Sequence, residues 1–277
     1  MHYSRARLRK LESNYFLLYF LQIILDFLFI NKNFIQAEEL LQKAIELGPN
    51  NATVFYTYSY LKCMLGQYKE ALGLIEKAKS IEPNSVAYFN YYGICLYLLG
   101  KYEEAITVFE EALKLFPQVL RFYDHLGRVY LTIGNYEEAI KTLNSGLRFA
   151  NVRPPSMLAY LAIAYVNLQQ EARAHELVNE LIQRSGMDEK GVNFYIVHIF
   201  TAWGNVKEAT QWIRKAEQTN DIDLIWRDVD PLLVGLRGGS TDVASAPDFE
   251  AAESSVLRKL KEELPKNLHY HNIDHTL

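Results

Sequence analysis

Apolar positions along this chain recur with a long period rather than with a simple helical or alternating one. Alanines followed four residues later by a bulky apolar side chain stand at Ala37, Ala71, Ala105 and Ala139, each 34 residues after the last, and at Ala174 and Ala209 after steps of 35. Their partners are Leu41, Ile75, Phe109, Leu143, Val178 and Ile213. Gly66, Gly100, Gly134 and Gly204 keep the same phase, as do Phe34, Tyr68, Tyr102 and Tyr136, and Pro49, Pro83 and Pro117 close three of the units. Apolar residues four apart mark one face of a helix. A glycine after such a run can take the left-handed conformation that ends a helix, and a proline cannot continue the next one. Each period therefore predicts two antiparallel helices joined by a tight turn. No single pair can bury its apolar face alone, so the units must stack into one continuous core.

The third unit reads Phe89-x2-Tyr92-Gly93-x2-Leu96, then Ala105-x3-Phe109, then Pro117, and the fourth reads Tyr123-x2-Leu126-Gly127-x2-Tyr130, then Ala139-x3-Leu143. These patterns resemble the tetratricopeptide repeat (TPR) family, whose unit is a helix pair of about 34 residues. The resemblance implies an all-α fold, a right-handed superhelix of antiparallel helix pairs. It covers residues 18–223 in about six units. Small residues such as Gly93 and Ala105 are expected to let helix backbones approach, with Tyr102 and Phe109 filling the space between units.

The units are unequal. The first, about 18–51, has Lys32 where the others have glycine, and its first helix is apolar almost all round. A terminal unit needs a polar outer face, so residues 1–17, a second chain or an upstream segment is expected to cover it. Self-association through this apolar helix is one form of that expectation. The fifth unit, about 155–188, has Gln169 at its turn, and the sixth, about 190–223, keeps Gly204, Ala209 and Ala216. Residues 224–237 read as a helical cap and 238–248 as a flexible linker of small polar residues. An amphipathic helix over about 249–263 has Leu257, Leu260 and Leu264 on one face, and the tail runs to residue 277.

Composition narrows the function classes. A hydrophobic fraction of 49% supports a sizeable core, and a net charge of -4 gives no bulk basic field to make nucleic acid the default partner. Cys63 and Cys95, on successive predicted helices, read as small buried apolar residues, which fits a reducing, cytoplasmic location. The apolar run from Tyr15 to Ile30 follows basic residues, but it is shorter than the ~20 residues of a spanning helix, and Gln22 and Asp26 interrupt it. A buried helix is the expectation there, not a membrane anchor.

Catalytic patterns are scarce. There is no phosphate-binding glycine loop, no Gly-x-Ser-x-Gly and no His-Glu-x-x-His. Glu103-Glu104 and Glu137-Glu138 fall at helix starts, where they favour the dipole. His125, His175 and His198 have no ligand-spaced partners and read as structural or surface residues. The tail is the exception. Tyr270-His271-Asn272-x2-His275-Thr276 resembles the opening of HD-superfamily metal-dependent phosphohydrolases. That resemblance implies an acid role for His271 and metal ligation by His275. The downstream His-Asp pair and further Asp that such a site requires do not follow before Leu277. One or two histidines cannot hold a dinuclear centre. No cofactor is expected, and a divalent metal only if a complete HD domain follows.

In TPR proteins the first helices line a concave groove. Here they offer Tyr56, Tyr60 and Met64 in unit two, Asn90, Ile94 and Tyr97 in unit three, and Arg121, Asp124 and Arg128 in unit four. This is an aromatic patch beside a mixed-charge patch, and Tyr and Arg dominate interface energetics. The expected function is a non-catalytic scaffold holding a protein segment in this groove, with the chain's own 249–263 as one occupant. The alternative is the regulatory region of a nucleotide-signalling enzyme, an HD phosphohydrolase or a cyclase, whose catalytic part lies outside this chain.

Overall fold

A computed structural model describes residues 34–236. Among them are eleven α-helices and no strand: α1 Phe34–Leu47, α2 Ala52–Met64, α3 Tyr68–Ile81, α4 Val86–Leu98, α5 Tyr102–Leu115, α6 Leu120–Thr132, α7 Tyr136–Leu147, α8 Pro155–Asn167, α9 Glu171–Gly186, α10 Val192–Ala202 and α11 Val206–Gln218. Two 3₁₀ helices follow, Ile222–Trp226 and Pro231–Leu236. The expected extension 1–17, the linker 238–248, the helix 249–263 and the histidine tail lie outside the described residues.

Helix α1 is the second helix of the first unit, and α2/α3, α4/α5, α6/α7, α8/α9 and α10/α11 are antiparallel pairs packed within their units. First helices also touch the first helix of the next unit, α2 with α4, α4 with α6, α6 with α8 and α8 with α10. Second helices of successive units make no comparable contact. The array therefore bends with its first helices on the inside, which defines a concave face. The first helices α2, α4 and α8 are buried over most of their length, while α3, α5 and α7 bury a single stripe of Ala, a bulky apolar residue and Ala or Gly.

The periodic positions do what their chemistry requires. Ala37, Ala71, Ala105, Ala139, Ala174 and Ala209 are all fully buried. A Cβ on Gly93 would stand 2.3 Å from Phe109 Cζ, so only glycine lets the Phe109 ring lie on α4. The turns between paired helices share one geometry. Gly66, Gly100, Gly134 and Gly204 have φ between 72° and 77°, and Gln169 takes φ 59° at the equivalent place. Each turn closes in the same way, as with Lys101 N–H to Leu96 C=O at 2.9 Å and Gln170 N–H to Tyr165 C=O at 2.8 Å, the double-bonded helix stop of a left-handed cap.

Lys62 is buried in α2 and neutralised by Glu38 of α1 at 2.6 Å and Glu70 of α3 at 3.0 Å, tying the first unit to the second. Cys63 and Cys95 are both buried free thiols, on the first helices of units two and three rather than on consecutive helices. No described helix is long and apolar enough to cross a membrane.

Candidate functional site in the concave face

The concave face holds a segment of its own chain. Helix α11 ends at Gln218, and Asp221 caps the return: its carboxylate accepts from the backbone N–H of Asp223 at 3.2 Å and of Phe194 at 3.2 Å. Residues 222–236 then lie as a strap against the first helices. Leu233 is fully buried, and with half-buried Leu224 and Leu236 it packs on Phe194, Val197, Ala209 and Ile213 of the last unit. Trp226 and Asp230 reach further along the groove. The Trp226 ring meets Tyr60 of α2 edge-on at 4.8 Å.

Asp230 is the polar centre. Its Oδ1 accepts from the Tyr97 hydroxyl of α4 at 2.9 Å and from the Leu232 N–H at 3.0 Å. Its Oδ2 faces His198 Nε2 of α10 at 3.1 Å and the Arg128 guanidinium of α6 at 3.5 Å. Arg128 also stacks over the Tyr97 ring at 4.5 Å. Burial opposes ionisation of Asp230, but Arg128, His198 and the Leu232 N–H outweigh it and hold the carboxyl well below the usual range. Three helices from three units thus converge on one carboxylate.

Around this centre the fit is incomplete. His125 Nε2 donates to Asn90 Oδ1 at 3.0 Å, which leaves Nδ1 as an acceptor. Burial, reinforced by Arg128 and Arg121, depresses the His125 pKa well below its ordinary value and keeps the ring neutral. Burial raises Asp124 despite Ser156 and the arginines. His125 Nδ1, Asp124 Oδ1 and Arg128 Nε are buried without a hydrogen-bond partner. A buried polar atom left unpaired costs free energy.

The groove residues expected from the sequence divide into two sets. Tyr60, Tyr97, Arg128, Asn90 and Asp124 come together at or beside the strap, and Arg121 is exposed nearby. Tyr56 instead stacks on Tyr91 at 5.4 Å with its hydroxyl 3.3 Å from Ser85 Oγ. Its ring is 2% exposed and belongs to the packing between units two and three. Ile94 and Met64 are likewise buried at 5% and 8%. They are buried in the array rather than open groove surface. The sequence reading missed Trp226 and Asp230 as groove elements, and His125, His198, Tyr91, Tyr160 and Tyr195 as their surroundings. The abundance of tyrosines on first helices was a signal, and so was the single imidazole at His198 in the apolar run of α10.

This geometry defines a TPR-type helical solenoid whose concave face carries a polypeptide segment. The family model described as anaphase-promoting complex, cyclosome, subunit 3 matches residues 30–112 and 64–146. Solved structures share the fold. PilW, described as a widely conserved type IV pilus biogenesis factor, is 19% identical with a TM-score of 0.56, over 82% of this chain and 97% of its own. PilF of Pseudomonas aeruginosa is 21% identical with a TM-score of 0.55, over 78% and 97%. A thermophilic TPR protein of Thermus thermophilus is 16% identical with a TM-score of 0.52, over 73% and 97%. No curated protein sequence matches the chain.

Proposed function

We propose that this chain is a non-catalytic scaffold that holds a segment of a protein partner in its concave groove. The observation that carries this reading is the strap itself. The first helices α2, α4, α6 and α10 already grip a polypeptide that is not part of the repeat, through aromatic and charge-assisted contacts. Stacked helix pairs create extended concave surfaces of this kind, and Tyr, Trp and Arg supply the largest contact energies in interfaces. Among the described residues no group of three or more His, Cys, Asp or Glu is arranged to hold a metal ion, and most polar groups of the groove pair with one another or with Asp230.

The test is site-specific photo-crosslinking in cells that express the chain. A photoreactive residue at Arg121, exposed beside the groove, is expected to capture a protein partner, whereas one at Glu111, exposed on the second helix α5, is not. Equal capture at both positions, or none at Arg121, overturns the reading. The second reading, a regulatory region joined to an HD phosphohydrolase, draws on the Tyr270-His271-Asn272-x2-His275 pattern alone. Its test is a downstream His-Asp pair in the same reading frame.

A further inference from the structure

We infer that the place where Asp230 sits is a recognition pocket for an acidic segment of a protein partner carrying an aromatic residue four positions before an aspartate, and that residues 222–236 fill it in cis until such a segment displaces them. The inference rests on the groove reading above and gives it a chemical specification.

Four observations carry it. First, the anchoring of the strap is separable from its reach into the groove. Leu224, Leu233 and Leu236, with part of Trp226, cover the apolar end of the last unit by packing on Phe194, Val197, Ala209 and Ile213, and Asp230 takes no part in that apolar contact. Covering that end does not require a carboxylate inserted between Tyr97, Arg128 and His198, which belong to units three, four and six.

Second, that carboxylate is met by a built set of donors: a hydroxyl, a guanidinium and an imidazole, with the guanidinium held flat on the Tyr97 ring at 4.5 Å. Charge-assisted bonds of this kind are the strong ones. A second subsite lies at Tyr60, which takes the Trp226 ring edge-on. The ligand pattern is thus an aromatic ring and a carboxylate at the spacing of Trp226 and Asp230.

Third, the strap satisfies the groove incompletely. Asp124 Oδ1 and His125 Nδ1 lack donors and Arg128 Nε lacks an acceptor, all buried. A segment whose backbone or side chains supply two donors and one acceptor there gains bonds that the strap does not make. Fourth, the strap is weakly built in itself. It consists of 3₁₀ helices of five and six residues, short pieces with poorer hydrogen-bond geometry than an α-helix. Its occupancy draws on covalent tethering, which raises local concentration without improving fit. An external segment with the better fit can therefore replace it.

The experiment uses the full chain and a fluorescent peptide of its own residues 221–236, read by anisotropy. The Trp226→Ala/Asp230→Ala chain, with its groove vacated, is expected to bind the peptide at least about tenfold more tightly than the wild type. A peptide with Asp230→Asn or with Trp226→Ala is expected to lose about tenfold in affinity for that chain. Equal affinity of the two chains, or indifference to both peptide changes, overturns the inference. If the double variant loses its helical circular dichroism, the wild type supplies the readout. Excess unlabelled peptide is then expected to accelerate hydrogen exchange of residues 222–236, and unchanged protection at the highest soluble peptide concentration overturns it. The two readings fail separately. Crosslinks at Arg121 without any displacement of the strap leave the scaffold and remove the carboxylate pocket. Displacement without crosslinks leaves the pocket and removes the scaffold.

Discussion

The Tyr97 hydroxyl donates a 2.9 Å hydrogen bond to the Asp230 carboxylate across 133 residues of sequence. Tyr97 stands on the first helix of unit three, and Asp230 lies beyond unit six. In a repeat array each unit ordinarily contacts only its neighbours, so stability is close to a sum of local terms. This bond and the Tyr60–Trp226 contact break that rule. They connect the end of the array to its second and third units across the concave face.

Removing the Asp230 carboxylate should loosen the strap while sparing the repeats. Asp230→Ala leaves Arg128 and His198 buried without their acceptor, and breaking a buried ion pair costs about 3–5 kcal/mol. Native-state hydrogen exchange is the measurement. Amides of residues 222–236 should lose protection, and those of α3 and α5 should keep theirs. Protection unchanged throughout would mean that the leucines alone hold the strap.

The close approach of Gly93 and Phe109 sets a second expectation. A methyl at residue 93 meets Phe109 Cζ at 2.3 Å and Cε1 at 2.4 Å, so Gly93→Ala should destabilise the array by about 1–3 kcal/mol through overpacking. In a Phe109→Val background the offending ring atoms are gone, and the same substitution should cost much less. Urea denaturation of the four proteins in a double-mutant cycle measures the coupling. Additive effects would show that α4 and α5 move apart freely.

What could be read in the sequence, and what could not, follows from the range of the interactions. The Ala71, Ala105 and Ala139 series and the glycine turns were legible because every unit must solve the same local packing problem with the same small residues. The sixfold period led directly to the TPR-type solenoid. The strap was not legible. Whether Trp226 can reach Tyr60 depends on the curvature of the array, the accumulated sum of small rotations between units, and no local pattern encodes that sum. Amphipathicity pointed instead to residues 249–263 as the segment that folds back, and those lie outside the described residues. Residues 224–237 read in sequence only as a helical cap to the array. Tyr56 and Tyr97 looked alike in sequence as groove residues. Only the packing separates Tyr56, stacked between units, from Tyr97, whose hydroxyl reaches the strap.

Gln169 takes a left-handed backbone conformation, φ 59°, at the turn where four other units carry glycine. A side chain pays about 1–2 kcal/mol for that conformation relative to glycine, offset in part by the extra freedom glycine has when unfolded. Gln169→Gly should therefore raise stability by roughly 1 kcal/mol or slightly less. A higher urea midpoint with an unchanged slope is the expected result. A lower midpoint would mean that the Gln169 side chain contributes more than its backbone costs.

The pH dependence of folding should carry the signature of Asp223, at the start of the strap. Burial, reinforced by the charge of Asp221, raises its pKa to about 6. The unfolded chain loses this proton near pH ~3.9, so between about pH 4 and 6 the folded state binds more protons at this site. The contribution is fully present below the unfolded pKa and is lost as pH rises through about 6. Its span is about 2–3 kcal/mol as an upper bound. Asp124 and Asp221 are also raised, both mainly by burial, and act with the same sign. His125 opposes them: burial depresses its pKa, so the unfolded state takes up the proton as pH falls below about 6.5, and stability falls with it. The lowered carboxyl of Glu38, held by its bond from Lys62, and that of Glu189, held by Arg184, lose their contributions only in more acid solution. Because Asp223 and His125 act with opposite signs in the wild type, the informative quantity is the difference between Asp223→Asn and the wild type. Asparagine resembles the protonated acid at every pH. The variant should match the wild type at about pH 3, below the unfolded pKa, and become progressively more stable than it up to about pH 7, by about 2–3 kcal/mol as an upper bound. Urea midpoints at intervals of half a pH unit follow this difference. A constant offset across that range would mean that Asp223 is solvated and ionises normally in the folded chain.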